Sequence, residues 1–425
     1  MARFKDFTPA GVIPATLLAF KPDYEIDWAE TTRHLKQVAA TPGLSAITVN
    51  GHASEVHACT FDEQREILDR SLDDVGDRLP LIAGVFADGS HEAARIARMS
   101  TEAGASALLV FPSTVLMMGG ERRPEMALAH FKAIADATDL PLICFNYARW
   151  TNLAYPLDTI VRMAEEIPSL AAIKDWTAEP MEHERNVRTL QSLPRPINVL
   201  STNSAWLMQS LTTGCDGLLS GAGSIIADLQ VALFQAIQKN DLARAREIND
   251  RMQPVTQAFY AAPFLDMHNR MKEAAVILGR QERAVVRPPL MKLPQSEIDR
   301  IAAGLKQARV GRDAAEDDLV LQTQLRDHAV EHVVMLPIAD APGHVSAERH
   351  APVAQDGRGP YQYVDTLARV DGPGKEQAAG HRLVRRLEVA FLDGVLHHRM
   401  QLGSQVRQGL PRVEAAGDET VDTLL

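Results

Sequence analysis

The stretch LICFNYARWTNLAYPLDTIVRMAEEIPSLAAIKDW, residues 142–176, decides the fold. It opens and closes on short, nearly continuous apolar runs, Leu142–Asn146 and Ala171–Lys174. Strands buried on both faces read this way, because a parallel sheet is covered by helices on each side. Between the runs lies an amphipathic stretch in which Pro156 suits a first helical turn, where a missing N–H costs nothing. Strand, helix and strand make one βαβ unit.

Working outward, the same alternation continues in both directions. Further strands are predicted at Gly11–Leu17, Ala46–Asn50, Leu81–Gly84, Ala107–Phe111, Asn198–Ser201 and Gly217–Ser220, which brings the total to eight. Eight such α/β units predict closure into a (β/α)8 TIM barrel. Thr60-Phe-Asp-Glu63 spells a capping box at a helix start, and Gly104 and Gly214 are placed to stop helices. Residues Asp241–Leu278 are periodic and polar on one face, which predicts a helical extension beyond the eighth strand.

After about Gln307 the composition shifts: the rest of the chain has a single lysine, Lys375, and a single isoleucine, Ile338, but seven of the fourteen histidines. Gly- and Pro-rich stretches there do not obviously bury a core, and only Arg382–Leu396 shows weak helical periodicity. The reading is therefore a barrel with C-terminal helices over residues 1–307 and a mostly disordered tail over 308–425.

At 425 residues, 46% hydrophobic and 23% charged, the chain has a globular composition. Its net charge of -11 argues against nucleic acid, whose phosphates need clustered Lys and Arg. No apolar run is long enough for a bilayer span, and Met1–Pro9 lacks the core of a signal peptide, so neither membrane insertion nor secretion is expected. Cys59, Cys144 and Cys215 are far apart and without Cys-x-x-Cys spacing, which fits a reducing cytoplasm. The barrel histidines His34, His57, His91, His130 and His183 show no ligand spacing and read as solvated helix residues, so no metal is expected. No nucleotide fingerprint occurs, and no cofactor is expected.

Lys174 is the residue that carries chemistry. In a barrel of this kind catalytic groups stand at the C-terminal ends of strands, and a lysine there enters a partly dehydrated mouth. Dehydration disfavours the ammonium and frees the amine to attack a ketone or aldehyde. The alternative is a structural ion pair, with Asp175 as the nearest candidate.

Several segments, in order, resemble the dihydrodipicolinate synthase / N-acetylneuraminate lyase family: Gly11-Val-Ile-Pro-Ala-Thr16, Val49-Asn-Gly-His-Ala-Ser-Glu55, Phe145-Asn146, Ile173-Lys174, Gly214-Cys-Asp-Gly-Leu-Leu-Ser-Gly221 and Arg287-Pro-Pro-Leu290. The resemblance covers about residues 8–300 and implies a class I aldolase or dehydratase. In it Lys174 forms a Schiff base with pyruvate or another α-keto acid, in a homotetramer or homodimer. Substrate contacts are expected from the turn Gly51, Ala53 and Ser54 and from Phe145 and Gly221; Asn203 and Ser220 stand at strand ends, where an amide or hydroxyl either orients substrate or caps the following helix.

The departures are specific. The family's Gly-Thr-Thr-Gly-Glu is here Gly51-His52-Ala53-Ser54-Glu55, so both threonines are gone. Backbone N–H groups of that turn can still hold a carboxylate, and His52 is a candidate for the lost proton transfer, against a loop histidine that merely packs. Phe145 stands where the family has its catalytic tyrosine. Tyr147, two residues on, shares its face in an extended chain and is the candidate replacement. Arg149 is one place out of register with an arginine that in relatives grips a second carboxylate; the alternative is a solvated or salt-bridged side chain. Ser113, Thr114 and two methionines replace paired tyrosines that in relatives cross to a neighbouring subunit, which suggests a more apolar acceptor pocket. The other class of reading is a binding or regulatory relative that has lost the acid–base machinery.

Overall fold

The computed structural model describes residues 3, 4 and 6–311. In chain order the elements are β1 (Gly11–Pro14), α1 (Trp28–Ala39), β2 (Ile47–Val49), α2 (Phe61–Val75), β3 (Leu81–Val85), α3 (Ser90–Ala103), β4 (Ala107–Val110), α4 (Pro124–Ala135), β5 (Leu142–Asn146), α5 (Leu157–Glu166), β6 (Leu170–Asp175), α6 (Pro180–Gln191), β7 (Asn198–Ser201), α7 (Leu207–Thr212), β8 (Gly217–Ser220), α8 (Gly223–Gln238), α9 (Leu242–Phe259), α10 (Met267–Ile277) and α11 (Gln295–Ala308). All eight strands are parallel, β1 pairs with β8, and the bridges Val12–Leu44 and Ala15–Thr48 join the β1 and β2 edges into a ring. The fold is the (β/α)8 barrel that the alternation predicts. Its strand residues are almost wholly buried, as a double-covered sheet requires.

Three local signals can be compared with the outcome. The Thr60 hydroxyl accepts from the Glu63 N–H while the Glu63 carboxylate accepts from the Thr60 N–H, a complete capping box. Gly104 and Gly214 follow α3 and α7 with φ of 111° and 107°, the left-handed conformation that ends a helix cheaply only at glycine. Pro156 is one place earlier than expected: it is the extended N-cap, and α5 begins at Leu157. β1 is shorter than its apolar run because past Pro14 the chain crosses from β8 to β2, with Ala15 N–H on the Ser220 carbonyl and Thr16 N–H on that of Thr48. The predicted extension resolves into α9 and α10, and α9 packs on α8 and on α11. Of the tail expected over 308–425, Ala308 is the last residue of α11 and residues 312–425 lie outside the described residues.

Candidate active site

Strand β6 sends successive side chains to opposite faces. Lys174 points into the barrel mouth and is 7% exposed, whereas Asp175 points into the helix layer and is fully buried. Asp175 accepts hydrogen bonds from Asn146 and Asn186 and lies 2.6 Å from His183 Nδ1. The Lys174–Asp175 pair that adjacency suggested is therefore absent. Among the described residues no carboxylate lies within ion-pairing distance of Lys174, whose Nζ stands 4.1 Å from the centre of the Phe145 ring. Burial lowers the Lys174 pKa to about 7, so much of the amine is unprotonated near neutral pH.

Phe145 is the register partner of Lys174 on β5, and Tyr147 follows on the same face. The Tyr147 Oη lies 2.9 Å from His52 Nε2. The two candidate replacements for the family's proton-transfer groups thus meet in one hydrogen bond. Burial raises the Tyr147 pKa well above its ordinary value. Burial, then the charges of Lys174 and His57, lowers that of His52 to about 3, so the pair is neutral at physiological pH. His52 begins a 3-10 turn, residues 52–54, and the bonds of that turn run from the Ser54, Glu55 and Val56 N–H groups to the carbonyls of Gly51 and His52. The His52 and Ala53 N–H groups precede that ladder, as the first N–H groups of any helical turn do.

The remaining predicted residues divide. Gly221 lines the lysine cavity with His52 and Phe145. Ser220 lies just beneath, bonded to Ser204 at 2.9 Å and accepting from Gln230 at 3.1 Å. The Ser54 hydroxyl is bound to the Thr16 carbonyl. Asn203 spends its side chain on the Ala178 N–H and the Asp175 carbonyl, beneath the rim. Arg149 is 2.7 Å from Glu182 and lines a separate cavity, so it takes the salt-bridged alternative.

Sequence reading missed the side chains that close the mouth from above. His268 and Met267 come from the start of α10, Tyr260 from the end of α9, Phe264 from the turn between them, and Trp176 from just beyond β6. Together with Lys174, His52 and Phe145 they line a cavity that is open to solvent at its rim. The His268 ring lies 6.4 Å from that of His52. Burial, then the His52 and Lys174 charges, keeps it neutral. A Cβ at position 221 would come within 2.7 Å of His268 Nε2, so a larger residue there would push that ring aside. The Tyr260 hydroxyl joins the Ser204 and Ser220 hydroxyls and the Ala222 backbone.

One buried carboxylate ties this roof to the floor. Glu55 has φ of 52°, pairs with Lys272 of α10, and accepts from the Arg287 N–H at 2.9 Å. The Arg287 guanidinium grips both oxygens of Glu63, at 2.5 and 2.9 Å, and donates to the Ala58 carbonyl. Two of the segments that carried the resemblance, 49–55 and 287–290, are thus halves of one clasp.

The histidine reading needs correction. His34, His130 and His183 are buried, not solvated, because each helix turns them inward, His34 onto the Leu17 N–H, His130 onto the Ser90 hydroxyl of α3 and His183 onto Asp175 of β6. Burial alone would lower the His183 pKa, but hydrogen bonds to Asp175 and Cys215 outweigh it and raise it to about 10. Among the described residues no three His, Cys, Asp or Glu side chains form a metal-holding group, and no helix is long and apolar enough to cross a membrane.

Comparison with known proteins agrees with the geometry. The model of the dihydrodipicolinate synthetase family matches residues 8–308. The 4-hydroxy-tetrahydrodipicolinate synthase of Maridesulfovibrio salexigens is 27% identical over 298 residues, covering 70% of this chain and 97% of that protein. The enzyme of the same name from Salinibacter ruber is 29% identical over 292 residues, 68% of this chain and 90% of the relative. Among solved structures, dihydrodipicolinate synthase from Aquifex aeolicus superposes with a TM-score of 0.63 at 23% identity, covering 71% of this chain and 99% of that one. A prophage protein of the family from E. coli K12, solved in complex with pyruvate, superposes with a TM-score of 0.65 at 21% identity over the same shares. With its eight parallel strands, its strand-end lysine and a family match over more than two thirds of its length, this chain belongs to the dihydrodipicolinate synthetase family of lyase-type enzymes.

Proposed function

We propose that the chain is a Schiff-base lyase acting on pyruvate or a related α-keto acid, with Lys174 as nucleophile and the Tyr147–His52 pair as its proton relay. The observation that carries this reading is a buried amine with no carboxylate partner, facing a cavity and adjoining a neutral hydroxyl–imidazole hydrogen bond. The free amine attacks the keto carbon, the carbonyl pair moves to oxygen, and the relay carries the surplus proton from nitrogen to that oxygen. A second proton lets water depart, which leaves the iminium. Its positive nitrogen then accepts the electron pair released when a bond two carbons away breaks or a C3 proton is removed.

The substrate carboxylate belongs, on this reading, to the N–H groups at the start of the 51–54 turn, with Gly51 and Ala53 allowing close approach and Ser54 anchoring the turn through Thr16. Tyr260 and His268 complete the wall; Ser220 and Asn203 support the rim from below. The relay weighs against a mere binder, since a protein that only holds a keto acid does not need it. The segment where relatives cross to a neighbour exposes Val115 at 62% and Met118 at 93%, which supports a homo-oligomer. The test is reduction with borohydride in the presence of a keto-acid panel. A mass adduct on Lys174 is expected with pyruvate, and its absence with every member would favour the non-catalytic binder.

A further inference from the structure

Two ladders rise side by side from the reacting amine. Lys174 and Phe145 are register partners, and Trp176 and Tyr147 follow each of them by two residues, with the Trp176 N–H still bonded to the Asn146 carbonyl. In extended chain that spacing lifts the upper pair about 6.6 Å above the lower, on the same face. The Tyr147 and Trp176 rings meet edge to face at 5.7 Å. Above them Trp150 and Phe264 close a three-ring cup with Trp176, at centroid distances of 5.4, 5.6 and 5.7 Å. Trp150 packs against both of these rings and is still 58% exposed, so part of its indole face is left open to a further ring.

The charges are equally one-sided. Apart from Lys174 the described lining of this cavity holds no ammonium, guanidinium or carboxylate. Arg149, the group that would have met a second anionic end, is committed to Glu182 outside it. An anionic aldehyde here would lose water contacts and gain no counter-charge.

We infer that the group beyond the keto acid is a planar aryl ring: the enzyme joins pyruvate to an aryl aldehyde, or cleaves the corresponding 4-aryl-4-hydroxy-2-oxobutanoate. The inference rests on the Schiff-base reading above. With C2 bound to Lys174, an aryl group on C4 reaches the height of Trp176 and Tyr147, where edge-to-face contacts with the cup hold it. In cleavage the C4 hydroxyl gives its proton to the Tyr147–His52 pair, the C3–C4 bond breaks, and its electrons pass to the iminium nitrogen as an enamine. C4 leaves as the aryl aldehyde. The enamine takes a proton at C3, and water hydrolyses the imine to pyruvate and free Lys174.

The experiment compares kcat/KM for condensation of pyruvate with benzaldehyde, succinic semialdehyde and glyceraldehyde, using the full chain. Benzaldehyde is expected to lead by at least about tenfold, and Trp150→Ala and Phe264→Ala each to shrink that ratio severalfold. The ratio is read within each variant, so partial misfolding does not imitate the effect. A lead for either aliphatic aldehyde, or a ratio unmoved by both substitutions, overturns the inference even while borohydride traps pyruvate on Lys174. In parallel, 4-phenyl-2-oxobut-3-enoate is titrated into Lys174→Met protein. Saturable quenching of tryptophan fluorescence, weakened by Trp150→Ala, supports the aryl site independently of imine chemistry, and no quenching counts against it.

Discussion

On the inner face of β6 the Lys174 amine lies among aromatic rings without a carboxylate to pair with, while on the outer face Asp175 is met by Asn146, Asn186 and His183, and His183 in turn by Ser210 at 2.8 Å. Both groups are buried, yet only one is partnered. A buried polar knot whose every member is satisfied holds a fold in one arrangement. A buried amine left unpartnered costs stability and persists where reactivity needs it. Satisfaction of hydrogen bonds, not burial, separates machinery from scaffold here.

The contrast breaks most visibly at Lys174 itself. Lys174→Met should lower turnover by at least about a thousandfold and abolish borohydride trapping, while raising stability by about 1–2 kcal/mol. That gain should depend on pH in a set direction. The folded pKa of Lys174, about 7, lies below the ordinary 10.5, so the cost of burying it is full below pH 7 and fades as pH climbs toward 10.5. Chemical denaturation of wild type and variant across pH 6 to 10 checks this; a gap that widens with pH would contradict it. For His183 the shift is opposite, from 6.5 to about 10, so its stabilisation is complete below pH 6.5 and is lost as pH rises through 10. Over the same range imine formation should increase through pH 7 and level off, measured by stopped-flow trapping.

Next in size, Tyr147→Phe and His52→Ala should each reduce kcat by about 100-fold or more, and the double variant by little beyond either, because the two act as one relay. Additive losses would show that they work separately. Asp175→Asn should leave Lys174 reactive but cost about 3 kcal/mol of stability, since it leaves the charged His183 buried without its carboxylate. Equal loss of trapping per folded molecule would erase the distinction between the faces. The smallest effect belongs to the surface: Met118→Glu should alter monomer stability by about 0.5 kcal/mol or less while shifting the sedimentation coefficient toward a smaller species.

The barrel was legible because its strands are short apolar runs and its helices carry caps, both of which are local properties. Lys174, Phe145 and Tyr147 were legible for the same reason, since strand periodicity tells which residues share a face. The roof was not. His268 lies 94 positions after Lys174 and reaches it only because α10 folds back over the mouth, and a histidine at a helix start carries no mark of that in its neighbours. His183 was misread because a helix wedged against a sheet buries polar residues that find partners on other elements, here Asp175 of β6 and Cys215 beside β8. Asn203 and Arg149 were read as substrate contacts, yet the first bonds the Ala178 N–H beneath the rim and the second pairs with Glu182 outside the cavity, because chain position does not reveal which competing partner a side chain takes.

The clasp at Glu55 sets a lower bound on how far the molecule can be pared down. A minimal barrel engineered to stop after α8 would keep all eight strands and the nucleophile, yet strand this carboxylate in a dry interior with neither Lys272 nor the Arg287 amide to answer it, at a cost of about 3–5 kcal/mol. The repeat unit is modular, but the working enzyme cannot be shortened to its repeats.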